Sequence, residues 1–174
     1  MIRIVSHDPI WSAKFEIEAE RIAKAVGGAA VRIHHIGSTA IPQAKAKPII
    51  DILLEVTSLG ALDQKAPMLE ALGYEAKGEF GIPGRRYFRL DDFNGMRTHQ
   101  IHAFEAGVPD VIRNVVFRDY MRAHSSVAGE YSALKERLVN AYPHDMAAYM
   151  DGKDAFVKEH ERRALLWASN VPTT

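Results

Sequence analysis

His34-His35-Ile36-Gly37-Ser38-Thr39-Ala40-Ile41-Pro42, followed by Lys47-Pro48-Ile49-Ile50-Asp51-Ile52, is the stretch on which the reading of this chain turns. Val31 to Ile36 reads as a strand, and it ends in glycine followed by two hydroxyl residues. Glycine adds no side chain, so the backbone here can come close to a ligand. The next amides, with the Ser38 and Thr39 hydroxyls, form a donor set suited to phosphate oxygens. Asp51 lies inside the following apolar run, Ile49 to Val56. If the two strands are neighbours, its carboxylate stands beside the phosphate loop. Magnesium takes few carboxylate oxygens and shares substrate phosphates, so Mg2+ is the cofactor this pairing suggests.

Upstream, Trp11, Phe15, Ala19, Ile22 and Val26 recur at helical spacing from about Pro9 to Val26. Asp8 before Pro9 is a helix-start signal, and Gly27-Gly28 closes the element. Downstream, Leu59 to Leu72 reads as a helix ended by Gly73. Three strands are expected next, at Tyr74 to Phe80, Arg86 to Leu90 and Thr98 to Phe104. Gly81, Pro83-Gly84 and Asn94-Gly95 mark the turns between them. From Pro109 onward the apolar period is helical, in three successive segments. The predicted architecture is α/β: a mixed sheet, one leading helix and a helical C-terminal third.

The 174 residues suggest one domain, with about two-thirds of the unfolded surface buried on folding. There is no cysteine, which removes disulfides, thiolate nucleophiles and zinc-thiolate sites together. No apolar run approaches the roughly 18 residues of a membrane span, nor does the start resemble a signal peptide. A cytoplasmic location without membrane contact is the expectation. Lys plus Arg and Asp plus Glu are 22 each, for zero formal charge. Duplex-binding domains carry a basic excess, so a small molecule is the expected partner rather than extended nucleic acid. Neither a Walker-type phosphate loop nor a dinucleotide fingerprint is present.

A Gly-Ser turn followed by an acid on the next strand resembles the nucleotidyltransferase superfamily. The longer string from His34 to Pro42 with Lys47 to Ile52 is similar to the GrpB family. Further stretches carry the same resemblance: Pro83 to Arg89, His99 to His102, Phe117 to Arg122, Tyr131 to Lys135 and Tyr149 to Lys153. It covers about Asp8 to Glu159 and implies a nucleotidyltransferase-like mixed sheet, with residues 1–174 as a single unit. It further implies a triphosphate at Gly37, Ser38 and Thr39 and a metal at Asp51. Some related domains are fused to dephospho-coenzyme A kinase.

One departure matters for the chemistry. Nucleotidyltransferases place a second acid two residues after the first, where this chain has Leu53. Glu55 shares the strand face but lies roughly 13 Å further along. His102, on a later strand, is the candidate to complete the site as metal ligand or general base, against the alternative of a structural histidine. Lys47 is a candidate phosphate partner, equally readable as a solvated loop lysine; Lys153 is another, against a lysine whose stem packs while its ammonium escapes to solvent. Arg86 and Arg89 are expected on opposite strand faces, with Arg86 the one reaching the pocket. His34 and His35 face opposite ways, and His35 is the nearer to the turn. Tyr131 and Lys135 share a helix face, and Arg118 and Arg122 read as a solvated surface.

Two functions follow as expectations. One is a magnesium-dependent transfer of a nucleotidyl group to an unknown small acceptor. The other is a non-catalytic module that binds a nucleotide or coenzyme A, which the missing second acid favours. A purely structural interaction domain is a third class, and nothing in the Gly-Ser loop supports it.

Overall fold

The structure, a computed structural model, describes residues 1–170; the last four residues of the expected unit lie outside the described residues. In chain order the helices are α1 (Ile10–Val26), α2 (Leu59–Ala71), α3 (Pro109–Ala123), α4 (Ser125–Ala141) and α5 (Met146–Asn170). The strands are β1 (Ala30–Ile36), β2 (Ile50–Val56), β3 (Glu75–Ala76), β4 (Arg86–Asp91) and β5 (Arg97–Glu105). They form one sheet in the order β1-β2-β5-β4-β3. Only β2 and β5 run parallel; the other neighbours are antiparallel. Among the described residues no helix is long and apolar enough to cross a membrane.

Strand β2 lies inside the sheet, between β1 and β5, and both of its faces meet apolar partners. Ile50, Ile52, Leu54 and Val56 point to one face and pack with Trp11, Phe15, Ile22 and Val26 of α1 and with Leu62 and Leu69 of α2. Leu53 points to the other and joins Ile36, Phe104 and Val111 under α3. Each fully buried aliphatic side chain here stabilises the fold by about 1.5–3 kcal/mol. A third cluster, including Ile41, Tyr120, Met121, Tyr131 and Ala164, joins the loop after β1 to the C-terminal helices. Gly152 lets α5 close on α4, since a Cβ there would overlap the Leu138 side chain. That contact sets Lys153 and Lys135 on neighbouring helices.

The expected strand at Tyr74 to Phe80 is shorter. Ladder pairing covers Glu75 and Ala76, and bonds from Lys77 N to Tyr87 O and from Tyr87 N to Gly78 O carry it slightly further. The backbone then turns left-handed at Gly78, Phe80 and Gly81, with φ of 61°, 48° and 87°. Extended pairing cannot continue through such angles.

Candidate functional site

Ile36 at the end of β1 stands opposite Asp51 of β2. The chain turns immediately at Gly37, whose φ is 74°. A Cβ at Gly37 would lie 2.8 Å from Asp51 Oδ2. Conformation and close approach thus both require glycine, and together they press the Gly37-Ser38 turn against the carboxylate. Ser38–Ala40 then forms a single 3₁₀ turn.

Asp51 Oδ1 lies 3.1 Å from His102 Nε2, and His102 Nδ1 lies 3.2 Å from Arg85 Nη1. A guanidinium only donates, so Nδ1 accepts, and the ring proton sits on Nε2, from which it is donated to Asp51. Both imidazole nitrogens are therefore engaged. His102 stands beside Asp51 as expected from sequence, but in this arrangement it orients the carboxylate and presents no free lone pair to a metal. Among the described residues Asp51 Oδ2, which faces Gly37, accepts no hydrogen bond. Arg85 is 7% exposed, and its other nitrogens donate to Glu79 O and Phe80 O at 3.2 and 3.0 Å.

Three lysines gather near this carboxylate and Ser38. Lys135 of α4 is 2% exposed and donates to Ser38 Oγ at 2.8 Å and to Lys45 O. Lys153 of α5 lies 5.2 Å from the centroid of the Tyr149 ring, and Lys47 lies 5.7 Å from the same centroid. Among the described residues no carboxylate forms an ion pair with any of these three lysines. Burial, then the fields of Lys153 and Lys47, push the Lys135 ammonium down to about 7. Burial, then Lys47, lowers Lys153 to about 8, with Asp51 opposing the shift. Lys47 is lowered as well, chiefly by burial, and again Asp51 opposes. Three partly desolvated lysines thus stand together with no carboxylate partner among the described residues.

The loop that carries Gly37 and Ser38 is pinned from behind. Arg122 Nε donates to Ala40 O at 2.8 Å, and Arg118 Nη1 donates to His35 O at 3.2 Å. The expectation of a solvated surface at Arg118 and Arg122 is corrected accordingly: they hold backbone carbonyls of the loop. Lys45 N donates to Ser132 Oγ at 3.0 Å, and the Lys45 ammonium pairs with Glu136, so α4 grips the loop at several points.

Other expected residues fall outside the cluster. The Thr39 hydroxyl is 3% exposed; it donates to Ile49 O at 3.3 Å and accepts from His35 Nε2 at 2.9 Å. It braces the loop with no hydrogen left for a phosphate. His35 stacks on Phe15 at 4.9 Å, and burial, followed by Arg122, holds its imidazole down to about 4. Arg86 points to the opposite face of the sheet and is bound by both Asp63 oxygens at 2.8 and 3.1 Å. Of the two strand arginines it is Arg89 that shares the site face, with Tyr87, and it is held by Glu75 at 3.2 Å; the guanidinium that reaches His102 is Arg85, in the turn before β4. Glu55 is engaged by His34 Nε2 at 2.5 Å and by Gly107 N at 3.4 Å, away from Asp51. Leu53, at the position of the absent acid, is fully buried. Among the described residues no group of three or more His, Asp or Glu side chains could hold a metal alone. Asp51 Oδ2 with substrate phosphates suits magnesium, which needs no all-protein cage. A cavity of ≈ 250 Å³ opens on the reverse face, beside Trp11, Lys14 and His99, and includes none of these groups.

The sequence profile of the GrpB protein family matches residues 1–163. The chain belongs to the GrpB family. It is 43% identical to the YqkA protein of Bacillus subtilis over 166 residues, 95% of this chain but 48% of that protein's length. A dephospho-CoA kinase of Mycobacterium leprae is 30% identical over 195 residues, 97% of this chain and 47% of the kinase. The crystal structure of conserved protein GrpB from Enterococcus faecalis superimposes with a TM-score of 0.91 at 36% identity, covering 97% of this chain and 100% of that one. Terminal uridylyl transferase 4 from Trypanosoma brucei, solved with bound dUTP, gives a TM-score of 0.52 at 13% identity. That match covers 83% of this chain and 51% of the transferase, and it shows the fold alone: a nucleotidyltransferase fold.

Within this member of the family, the sequence reading missed Lys135 and Arg85. Lys135 had left a visible trace, a lysine one helical turn from Tyr131 on a face otherwise suited to packing. Arg85 had left none, because its role depends on where β4 begins.

Proposed function

We propose that this protein transfers a nucleotidyl group from a nucleoside triphosphate to a small hydroxyl-bearing acceptor. The observation that carries this reading is the unneutralised lysine group facing Ser38 beside an open Asp51 oxygen. A triphosphate is the anion whose charge matches that group. Lys135 and Lys153, with Lys47 at the rim, would bind the β- and γ-phosphates, with the Ser38 region holding the chain in line. The acceptor oxygen bonds to the α-phosphorus, the α–β bridging bond breaks, pyrophosphate leaves on the lysines, and the acceptor proton passes to water. Such reactions depend mainly on positioning and charge neutralisation. Magnesium bound by Asp51 Oδ2 and the phosphates would supply further charge neutralisation. His102, fixed by Arg85, acts as a positioning residue that aims that oxygen.

A non-catalytic nucleotide- or coenzyme A-binding module is the second reading, favoured by the buried Leu53 in place of a second acid. The two separate in one titration. Thermal shift with ATP, GTP, CTP, UTP and dephospho-coenzyme A, with magnesium or chelator, is expected to show a magnesium-dependent rise. Asp51→Asn should erase that dependence without unfolding the protein. A rise indifferent to magnesium and to Asp51 favours the module, and no rise with any ligand overturns both.

A further inference from the structure

The reverse face of the sheet holds the cavity of ≈ 250 Å³, between α1 and the starts of β2 and β5. Trp11, Ile17, Pro48 and Ile50 give it apolar walls, and Lys14, Glu18, Thr98 and His99 complete the lining. Lys14 and Ile17 are three apart on α1 and share a face there. Both remain exposed, Ile17 at 63%, whereas Trp11 behind them is buried. Drug-sized ligands occupy about 300–1,000 Å³, so a cavity of this size suits a single ring rather than a nucleotide.

Two of its polar groups are left without a partner. Glu18 is satisfied, since Tyr74 Oη and Arg21 Nη1 engage both of its oxygens. Among the described residues the ion pairs within α1 are Arg21 with Glu18 and Lys24 with Glu20, and Lys14 belongs to neither. His99 stands opposite Ile50 and so faces the same side of the sheet. The Thr98 hydroxyl donates to Leu90 O at 3.3 Å, so its oxygen accepts from His99 Nδ1 at 2.9 Å. The ring proton therefore sits on Nδ1, and Nε2 keeps a lone pair with no hydrogen-bond partner among the described residues. Burial, opposed by the Glu18 charge, lowers the His99 pKa, which keeps the ring neutral at pH 7. We propose that this cavity binds a small single-ring carboxylic acid that carries a hydroxyl group opposite its carboxylate. The ring lies against the apolar walls, the hydroxyl donates to His99 Nε2, and the carboxylate turns outward to the exposed Lys14 ammonium. Lys14 thereby selects an acid over an amine, and His99 selects a hydroxyl over a bare ring.

Calorimetric titration of the full chain with 4-hydroxyphenylacetate tests the site. Phenylacetate, which lacks the hydroxyl, and tyramine, which carries an ammonium in place of the carboxylate, are the controls. The hydroxy acid is expected to bind about five-fold tighter than phenylacetate, the order of one net hydrogen bond, and tighter than tyramine. His99→Phe should remove its advantage over phenylacetate. Lys14→Met should weaken it about two- to five-fold and narrow its preference over tyramine. Thermal melting checks that the variants fold, and Lys14→Met, which alters an exposed side chain, decides the matter even where His99→Phe does not. The chain has two tryptophans, Trp11 and Trp167. In NMR spectra of nitrogen-labelled protein the Trp11 indole signal should move on binding and that of Trp167 should stay, with Trp167→Phe assigning the pair. No binding at millimolar acid, tyramine or phenylacetate as tight as the hydroxy acid, or an unmoved Trp11 signal overturns the site. Binding lost in Lys135→Met but kept in Lys14→Met would place the acid at the lysines near Ser38 and overturn it as well.

Discussion

Glu18 and Asp51 lie on opposite sides of one sheet and are held in opposite ways. Glu18 is 3% exposed, yet both of its oxygens are satisfied, by Tyr74 Oη at 2.8 Å and by Arg21 Nη1 at 2.9 Å. The same contact raises the Tyr74 phenol well above its usual range, through burial and then the Glu18 charge. Among the described residues Asp51 has one oxygen hydrogen-bonded and one not, and the nearby lysines have no carboxylate of their own. A buried polar cluster that closes on itself serves the fold; one left unbalanced is preorganised for a missing charge. The contrast goes with exposure: Glu18 is buried, whereas the Asp51 side chain keeps 29% of its surface exposed.

The sharpest way to break the contrast is to exchange its two losses. Lys135→Met removes a buried cation without a counter-charge. It is expected to weaken triphosphate binding by about 100-fold or more, the order of two charge-assisted hydrogen bonds. The ligand-free protein should keep its melting temperature or gain slightly, because the cost of burying an ammonium disappears with it. A variant that binds ATP as tightly as wild type would remove the lysines from the site.

Glu18→Gln should behave in the mirror sense. Urea unfolding is expected to show a loss of about 1–3 kcal/mol, as a buried charge-assisted network is broken. Nucleotide affinity should stay at the wild-type value. A fall in affinity comparable with that of Lys135→Met would show that the two faces are coupled.

The smallest expected effect is on pH dependence, and it sharpens the same comparison. Lys135 is held down to about 7 in the folded chain, against about 10.4 when unfolded. Folding therefore releases a proton between those values, and its contribution makes ligand-free stability rise with pH from about 7 to about 10. Nucleotide binding has the opposite sign. A bound triphosphate favours the charged lysines, so binding takes up protons above pH 7 and affinity falls as pH rises. Calorimetry in buffers of different ionisation enthalpy should register that uptake at pH 8, and Lys135→Met should reduce it.

Much of the fold was legible because its signals are local. The helical period of Trp11, Phe15, Ile22 and Val26, and the apolar run of β2, specify their elements without reference to distant residues. The Gly37-Ser38 turn and Asp51 were equally legible, since adjacent strands bring them together and only glycine tolerates the contact. Thr39 was misread because its hydroxyl meets His35 and Ile49, partners that no spacing rule selects. Arg86 was misread because the register with β5 decides which alternate residues of β4 face the site: Tyr87 and Arg89 stand opposite His102 and Gln100, and Arg86 stands opposite Ala103 of the other face.

By itself, then, the sequence determined the element types, the family and the pairing of a Gly-Ser turn with one carboxylate, all of which follow from short-range pattern and backbone sterics. The tertiary structure decided which charges face that carboxylate. Lys135 reaches Ser38 only because α4 folds back over the loop, and Gly152 lets α5 close beside it. Arg85 reaches His102 only because a left-handed turn wraps around its guanidinium. Electrostatics acts through space between elements far apart in the chain, so the balance of the site emerges only when the helices are docked.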